Sequence, residues 1–299
     1  MLIEGGNIDA ILLFEMSAIQ YCPPSCYKQL IASIEDPESI KLGRMMKLPV
    51  WSLWQKAKLF VLAGLAAHYE KKILPRIAKV LLLSEADRQD MREQGGYENL
   101  ACVTYGVDQE HQGASLGYEQ RERVIIFSGN MYHPPNVDGA LFLLTDIFPL
   151  ILQVYPSAIL WIVGADPDVR ICEAAAKFGE QVVITGRVED VAHYILRATV
   201  SVCPVRLRIG VQTKVLEALS LGTPVVTTSA GNTGVGGVSG RQLWVEDEPN
   251  QFAGKVVALL QGCGWSELSQ GGQRFVAERF TWERSARQLR QYLESLSTD

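Results

Sequence analysis

Two arginines, a lysine and a glutamate follow one apolar run closely in the second half of the chain. Arg206 and Arg208 lie in a loop after residues 200–204, and Lys214 and Glu217 follow in a predicted helix. Fixed cations beside the free N–H groups of a helix start favour a bound diphosphate, because they meet the anion without rearrangement. Because Glu217 lies three residues after Lys214, both can face one opening, where a carboxylate could accept hydrogen bonds from sugar hydroxyls.

The same four residues also have a simpler interpretation. A solvated loop with a surface ion pair contributes little to stability and nothing to function. On these residues alone the simpler interpretation is favoured, so the choice depends on the surrounding elements.

A strand, a helix and a second strand would position these residues. The apolar run 200–204 predicts a strand, residues 205–211 a loop, residues 212–221 a helix, and residues 224–228 the second strand. The chemistry of the unit therefore lies in its first turn, at the loop and the helix start.

The segment GVQTKVLEALSLGTPVV, residues 210–226, resembles the donor-binding segment of the GT-B glycosyltransferases of family 4. In that family a small-residue loop leads into a helix with the pattern Lys-x-Leu-Glu-Ala, and Gly-x-Pro-Val-Val follows. The resemblance covers nearly the whole chain and is strongest over residues 124–296. It implies that Glu217 binds the donor ribose. It also implies a set of diphosphate-binding residues in the loop and helix start: Arg206, Arg208, Gly210, Thr213 and Lys214.

The resemblance assigns two further turns to the donor site. Gly129 and Asn130 follow the predicted strand 124–128 and would contact the diphosphate. Many family members carry a basic residue at this turn, and because Asn130 stands there, the expected phosphate binding shifts to the cations of the later loop. The turn after the predicted strand 181–185 would contact the nucleotide base through Arg187 and Val188. Taken locally, either turn could equally be a plain loop of an α/β sheet.

The fold class expected from the resemblance is α/β with two Rossmann-like lobes, the GT-B arrangement. Residues 1–115 would form a partial N-terminal lobe on the acceptor side, residues 116–280 the lobe that binds the nucleotide sugar, and residues 281–299 a helix docking back on the N-terminal lobe. The opening strands of the family and their glycine-rich loop have no counterpart here, so the N-terminal lobe is expected to be incomplete. An incomplete parallel sheet exposes an edge, which predicts self-association or a partner subunit covering that edge.

Composition argues against several other classes of protein. The chain of 299 residues has a net charge of −5 and lacks the clustered Lys and Arg of a general nucleic-acid binder. Its six cysteines and four histidines are scattered, which predicts neither a zinc site nor disulfides. We therefore expect metal-independent chemistry with no cofactor, the nucleoside diphosphate sugar acting as co-substrate. A Rossmann oxidoreductase is disfavoured, because no Gly-x-Gly-x-x-Gly turn joins a strand to a helix.

The longest candidate for a membrane span is the apolar run 59–67, which is too short to cross a bilayer. We expect it to be a buried helix face within a helical region at residues 48–77. The aromatic residues of this region are expected in the core: Trp51, Trp54, Phe60 and Tyr69. Residues 1–10 lack the pattern of a signal peptide. These features predict a cytoplasmic protein, with peripheral membrane contact as an open option.

The resemblance implies transfer of a hexose-like unit from a nucleoside diphosphate sugar to a sugar or lipid-linked acceptor, with retention at the anomeric carbon. The pathway would be polysaccharide or glycoconjugate synthesis. Many family members carry a second glutamate eight residues before the Glu217 position, and because Ile209 stands there, the donor sugar is left open. The alternative, raised by the missing opening strands, is a non-catalytic donor-binding partner or an inactive remnant of such an enzyme.

Overall fold

The part of the chain that the structure describes, residues 8–108 and 116–296 of a computed structural model, divides into two units. Within the described residues, the first unit comprises 8–47, 53–106 and 282–296. The second unit comprises 48–52, 107–108 and 116–281. Each unit contains its own parallel sheet, so the expected α/β class with two parallel sheets is confirmed.

The first unit contains a four-stranded parallel sheet in the order β1-β2-β3-β4. The strands are β1 (Ile11–Phe14), β2 (Leu30–Ile34), β3 (Lys79–Leu82) and β4 (Leu100–Cys102). The helices along the chain are α1 (Glu38–Met45), α2 (Leu53–Ile73) and α3 (Glu85–Gly95), and the C-terminal helix Trp282–Leu296 belongs to this unit. Strands β2 and β3 are buried on both faces, as apolar strands of a parallel sheet must be.

Alternate residues of these strands face two separate cores. Leu30, Ala32 and Ile34 of β2 point into the larger core, whereas Ile31 points to the opposite face. On that opposite face the sheet packs against apolar residues of the C-terminal helix: Leu289, Tyr292, Leu293 and Leu296. The period of two along each strand therefore decides which residues meet the helix.

Helix α2 differs from the sequence prediction. Trp54 and Phe60 are not core residues, since their exposed fractions are 84% and 70%, and Leu65 within the predicted buried face is 62% exposed. Tyr69 packs partly against the larger core of the first unit, as predicted. The physical reason is that α2 packs against α1 through one side only, and the apolar residues continue around its other side.

The second unit contains a six-stranded parallel sheet in the order β10-β9-β8-β5-β6-β7. The strands are β5 (Glu122–Ser128), β6 (Ile159–Val163), β7 (Val182–Gly186), β8 (Ala198–Cys203), β9 (Val225–Thr227) and β10 (Trp244–Val245). The helices are α4 (Pro134–Phe142), continued by the π-helical turn Leu143–Ile147 into α5 (Phe148–Val154), then α6 (Val169–Ala175), α7 (Val191–Arg197), α8 (Thr213–Ser220), α9 (Ser229–Asn232), α10 (Pro249–Leu260) and α11 (Trp265–Arg279).

The strand order of the second unit contains a topological switch point. The chain runs outward from β5 through β6 to β7 and then returns to place β8 on the other side of β5. In open α/β sheets, ligands bind in the crevice outside the carboxyl ends of the strands at such a point. The turn after β5 and the loop after β8 therefore flank the favoured position for a ligand.

One helical stretch of the described residues, Pro134–Val154, is long and apolar enough to cross a membrane by length and composition. Its most apolar window is 56% buried, and Val137, Leu144 and Phe148 pack in the core of the second unit. Buried core helices pass the same test. The prediction that residues 59–67 are the longest candidate for a membrane span is wrong, because Pro134–Val154 is longer.

Candidate functional site

The turn after β5 accommodates only glycine at its first position. Gly129 has a φ of 145°, and a Cβ there would lie 2.9 Å from Asn136 Nδ2 and 3.0 Å from Lys214 Nζ. A side chain would therefore adopt a strained backbone conformation and displace both polar groups. This turn brings the backbone directly against the lysine of α8.

The turn after β6 packs on the turn after β5. Gly164 has a φ of 151°, and a Cβ there would come within 1.7 Å of the Gly129 carbonyl oxygen. The Gly129 N–H donates to Val163 O at 3.0 Å, and the Gly164 N–H donates to Gly186 O at 3.2 Å. Backbone hydrogen bonds thus join the carboxyl ends of β5, β6 and β7. Because Gly129 and Gly164 have no side chains, the backbone of these turns is accessible.

Lys214 is the cation that reaches this surface. Its Nζ donates to Asn136 Oδ1 at 2.5 Å and lies 4.8 Å from the centre of the Phe127 ring. Burial lowers the pKa of Lys214, and the field of Glu217 partly offsets that shift. A half-buried cation held by a neutral acceptor beside this turn needs little rearrangement to meet an anion.

The start of α8 adds backbone donors beside this cation. Gln212 precedes the helix, and its carbonyl accepts the N–H of Val215 at 2.9 Å, while its side chain donates to Ile209 O. The first N–H groups of an α-helix have no acceptor within the helix, so those of Thr213 and Lys214 are suited to an anionic ligand.

Arg206 has an ion-pair partner that the sequence did not reveal. Its guanidinium donates to both carboxylate oxygens of Asp138, at 3.0 and 2.6 Å, and lies 4.7 Å from the centre of the Phe142 ring. Asp138 is buried in α4, so the pair holds the loop after β8 on that helix. The ion pair gives Arg206 a structural role, and its role in binding a diphosphate stays a prediction.

The other candidates of this loop lie around the start of α8. Arg208 and Gly210 are half-buried, and Gly210 has a left-handed φ of 51°. Glu217 is half-buried one helical turn after Lys214. Burial raises the pKa of the Glu217 carboxyl, while Lys214 acts in the opposite direction.

The glycine-rich segment at residues 231–240 lies against the loop after β8. A Cβ at Gly234 would come within 2.3 Å of the Gly210 carbonyl oxygen. The Asn232 side chain fixes the segment by donating to Gly237 O at 2.8 Å and accepting the Gly237 N–H at 3.0 Å. This segment therefore forms a wall beside Gly210.

The predicted base-binding residues follow β7, which β6 separates from β5. Gly186 ends β7 with a φ of 67°, Arg187 after it is exposed, and Val188 is half-buried. Asn130 is exposed, and its carbonyl accepts the Asn136 amide at 2.9 Å. Base binding by Arg187 and Val188 stays a prediction.

Two residues of the site were missed in the sequence. Asn136 and Asp138 are buried polar residues in the first turns of the otherwise apolar helix α4. Polar side chains at such positions are a usable signal, because buried polar groups require partners. Here those partners are Lys214 and Arg206.

The first unit has a cavity of its own, of 600 Å³, beyond the carboxyl ends of β1 and β2. Its lining combines acidic residues with apolar residues of α2: Glu15, Glu35, Asp36, Glu38, Leu65 and Ala66. Burial raises the pKa of Asp36 to about 6, against a smaller opposing effect of Lys41. Within residues 8–108 and 116–296, no group of three or more His, Cys, Asp or Glu side chains is placed to hold a metal ion.

The fold of this chain, with a parallel sheet in each unit, is similar to the folds of solved GT-B glycosyltransferases. TarM of S. aureus superposes with a TM-score of 0.73 at 13% identity, covering 96% of this chain and 55% of TarM. Sucrose-phosphate synthase of Thermosynechococcus elongatus superposes with a TM-score of 0.69 at 19% identity, and the match covers 90% of this chain and 68% of the synthase. Anabaena HepE in complex with UDP and glucose superposes with a TM-score of 0.68 at 15% identity, and the match covers 89% of this chain and 71% of HepE.

The family comparison covers most of the second unit. Residues 122–262 match the family model described as glycosyl transferases group 1. The matched residues are similar to a group 1 glycosyl transferase domain and include the turn after β5 and the start of α8. No curated protein matches the chain significantly. The chain spans little more than half the length of TarM.

Proposed function

We propose that this protein transfers a sugar from a nucleoside diphosphate sugar to an acceptor, and that its second unit binds the donor diphosphate. One observation carries the proposal: Lys214, held by Asn136, lies beside the glycine turn after β5 and at the start of α8. The group 1 domain and the UDP bound in HepE support the same assignment.

The chemistry that the site would perform is stabilisation of the leaving diphosphate. As the bond between the anomeric carbon and the phosphate oxygen breaks, negative charge grows on that oxygen. Lys214, Arg208 and the first N–H groups of α8 would meet this charge without rearrangement, and so would lower the barrier. Gly129 and Gly210 would let the phosphates approach the backbone, and Glu217 would accept hydrogen bonds from the ribose hydroxyls.

Three finer points belong to the same proposal. The reaction would proceed with retention at the anomeric carbon and without a metal ion, since cations of the protein itself neutralise the diphosphate. The acceptor would be a sugar or a lipid-linked sugar in polysaccharide or glycoconjugate synthesis. In the first unit, the cavity beyond β1 and β2 offers carboxylates that can accept hydrogen bonds from acceptor hydroxyls.

A thermal-shift titration of the purified chain with UDP and GDP tests donor binding. A ligand that binds only the folded protein raises the midpoint of thermal unfolding by mass action, so UDP, GDP or both should raise the midpoint of the wild type. Lys214→Ala and Glu217→Ala should abolish the shift, whereas Lys177→Ala, an exposed lysine of the same unit, should keep it. No shift in a folded wild-type chain would contradict the proposal. Binding without transfer to any acceptor would favour the alternative of a non-catalytic donor-binding partner.

A further inference from the structure

Two cysteines lie side by side in the larger core of the first unit. Cys22 and Cys26 are 7% and 6% exposed and belong to the same apolar cluster. A side-chain hydrogen bond joins the two thiols. All six cysteines of the chain are free, and these two form a neighbouring pair.

The backbone that connects the two cysteines is short and stiff. Cys22 follows the 3₁₀ helix Met16–Tyr21, and Cys26 lies in the 3₁₀ helix Pro24–Gln29. The N–H of each cysteine donates to a carbonyl three residues earlier, at 3.0 and 2.9 Å. Two of the three residues between the cysteines are prolines, whose rings fix φ. Because this backbone is already ordered, joining the two sulfur atoms costs little chain entropy.

The turn between the cysteines gives solvent a way to the thiols. Residues 23–25 are exposed, and the Ser25 hydroxyl lies 3.9 Å from Cys26 Sγ. Burial, and next to it the neighbouring Cys26, raises the pKa of the Cys22 thiol, so the closed turn protects it from reaction. Local opening of this exposed turn is enough to admit a small molecule, and the sheet stays folded.

We propose that Cys22 and Cys26 are a redox modification site, which glutathione disulfide or a similar small disulfide converts reversibly into an internal disulfide. One cysteine thiolate attacks a sulfur of glutathione disulfide, which forms a mixed disulfide and releases one glutathione. The second thiolate then attacks the protein sulfur of that bond and releases the other glutathione. The cysteines lose two electrons and two protons, and both pass to the two glutathione molecules.

The new bond would restrain one wall of the cavity in the first unit. Met16, Ser17 and Gln20 of the first 3₁₀ helix line this cavity, and Cys22 follows that helix directly. A disulfide to Cys26 would tie the end of the helix to the next one. The site lies within the first unit and does not depend on the proposed transfer reaction.

Thiol counting on the whole chain tests the proposal. Replacing the exposed thiols in Cys172→Ser with Cys263→Ser leaves four cysteines. After equilibration with glutathione disulfide, acid quenching and alkylation of the unfolded chain, the thiol count should fall from four to two. The tryptic peptide of residues 1–28, which contains Cys22 and Cys26, should lack two hydrogen atoms by mass spectrometry. Dithiothreitol should restore all four thiols.

The matched control is Cys22→Ser in the same background, because serine keeps the small size of the side chain. The same treatment should remove no pair of thiols from this variant. Three results would each overturn the assignment: four thiols retained, glutathione that stays attached to Cys22 or Cys26 without an internal bond, or a pair of thiols lost in Cys22→Ser. Hydrogen exchange of residues 16–22 should slow on oxidation, and unchanged exchange would overturn the proposed restraint on the helix.

Discussion

Lys214 supplies the positive charge that the turn after β5 lacks in its own sequence. The turn after β5 has Asn130 where a basic residue was expected, yet Lys214 reaches that turn from α8 and places its Nζ next to Gly129. Its acceptor, Asn136, lies 78 residues earlier in the chain. The site therefore keeps a positive charge at this turn, supplied by another element.

Substitution of Asn136 tests how Lys214 is held. Asn136→Ala removes the acceptor of a buried ammonium group, which should destabilise the folded protein by about 1–3 kcal/mol and weaken UDP binding about tenfold. Asn136→Asp should separate these effects, because a carboxylate stabilises the ammonium group but neutralises the charge that a diphosphate needs. Calorimetry should therefore find Asn136→Asp less destabilised than Asn136→Ala, because the ion pair with Lys214 offsets the lost hydrogen bond to Asn130 O, with UDP binding still weakened.

The contrast between these two variants decides the interpretation. If Asn136→Asp bound UDP as tightly as the wild type, the positive charge of Lys214 would have no part in binding. If Asn136→Ala left both stability and affinity unchanged, the hydrogen bond to Lys214 would have no energetic role.

Asp36 makes stability depend on pH in the first unit. Burial raises its pKa from 3.8 to about 6 in the folded protein, so the folded state holds a proton that the unfolded state has released. This contribution favours folding below pH 4 and is lost as the pH rises through 6. Asp36→Asn should therefore stabilise the protein at pH 7.5 by about 3 kcal/mol and have little effect at pH 3.5. Urea unfolding at both pH values measures this, and equal effects at both would contradict it.

At the scale of elements, local pattern predicts well where the partners are close in the chain. The predicted strand, helix and strand at residues 200–228 correspond to β8, α8 and β9 within a few residues at each end. Apolar strands, a glycine stop and a helix between them are all visible in one short window. The contacts of Lys214 and Arg206 with α4 were not predictable, because they join residues more than 60 positions apart.

Helix α2 shows the opposite outcome. Its composition correctly predicts a helix, but the expected burial of Trp54 and Phe60 is wrong. Periodicity tells which residues share a side of a helix and does not tell what covers that side. The apolar surface became apparent only when the neighbours of α2 were known.

The glycine turn after β5 allows a test at this scale. Gly129→Ala places a Cβ within 3.0 Å of Asn136 and Lys214 at a φ of 145°, so it should destabilise the second unit by about 1–3 kcal/mol and weaken UDP binding. Gly254→Ala is the matched control, since Gly254 lies inside α10 with open space around it. This substitution should raise the free energy of unfolding by about 0.5–1 kcal/mol. Thermal unfolding compares the two, and a neutral Gly129→Ala would contradict the described turn.

At the scale of the whole molecule, the first strand of the four-stranded sheet carries an expectation about association. Among the described strands, β1 pairs with β2 alone, so its other edge is open. Self-association or a partner subunit through this edge stays a prediction. Sizing of the purified chain over a range of concentrations checks it, and a stable monomer would count against it.

Binding of UDP compared with UMP tests the central claim most directly. The two ligands share base and ribose and differ in the second phosphate, which is the group that Lys214 and the start of α8 would bind. Isothermal titration should find UDP bound at least tenfold more tightly than UMP by the wild type, and Lys214→Ala should remove that difference while leaving the protein folded. Equal affinity of the wild type for both nucleotides, or a UDP preference that persists in Lys214→Ala, would contradict the diphosphate site.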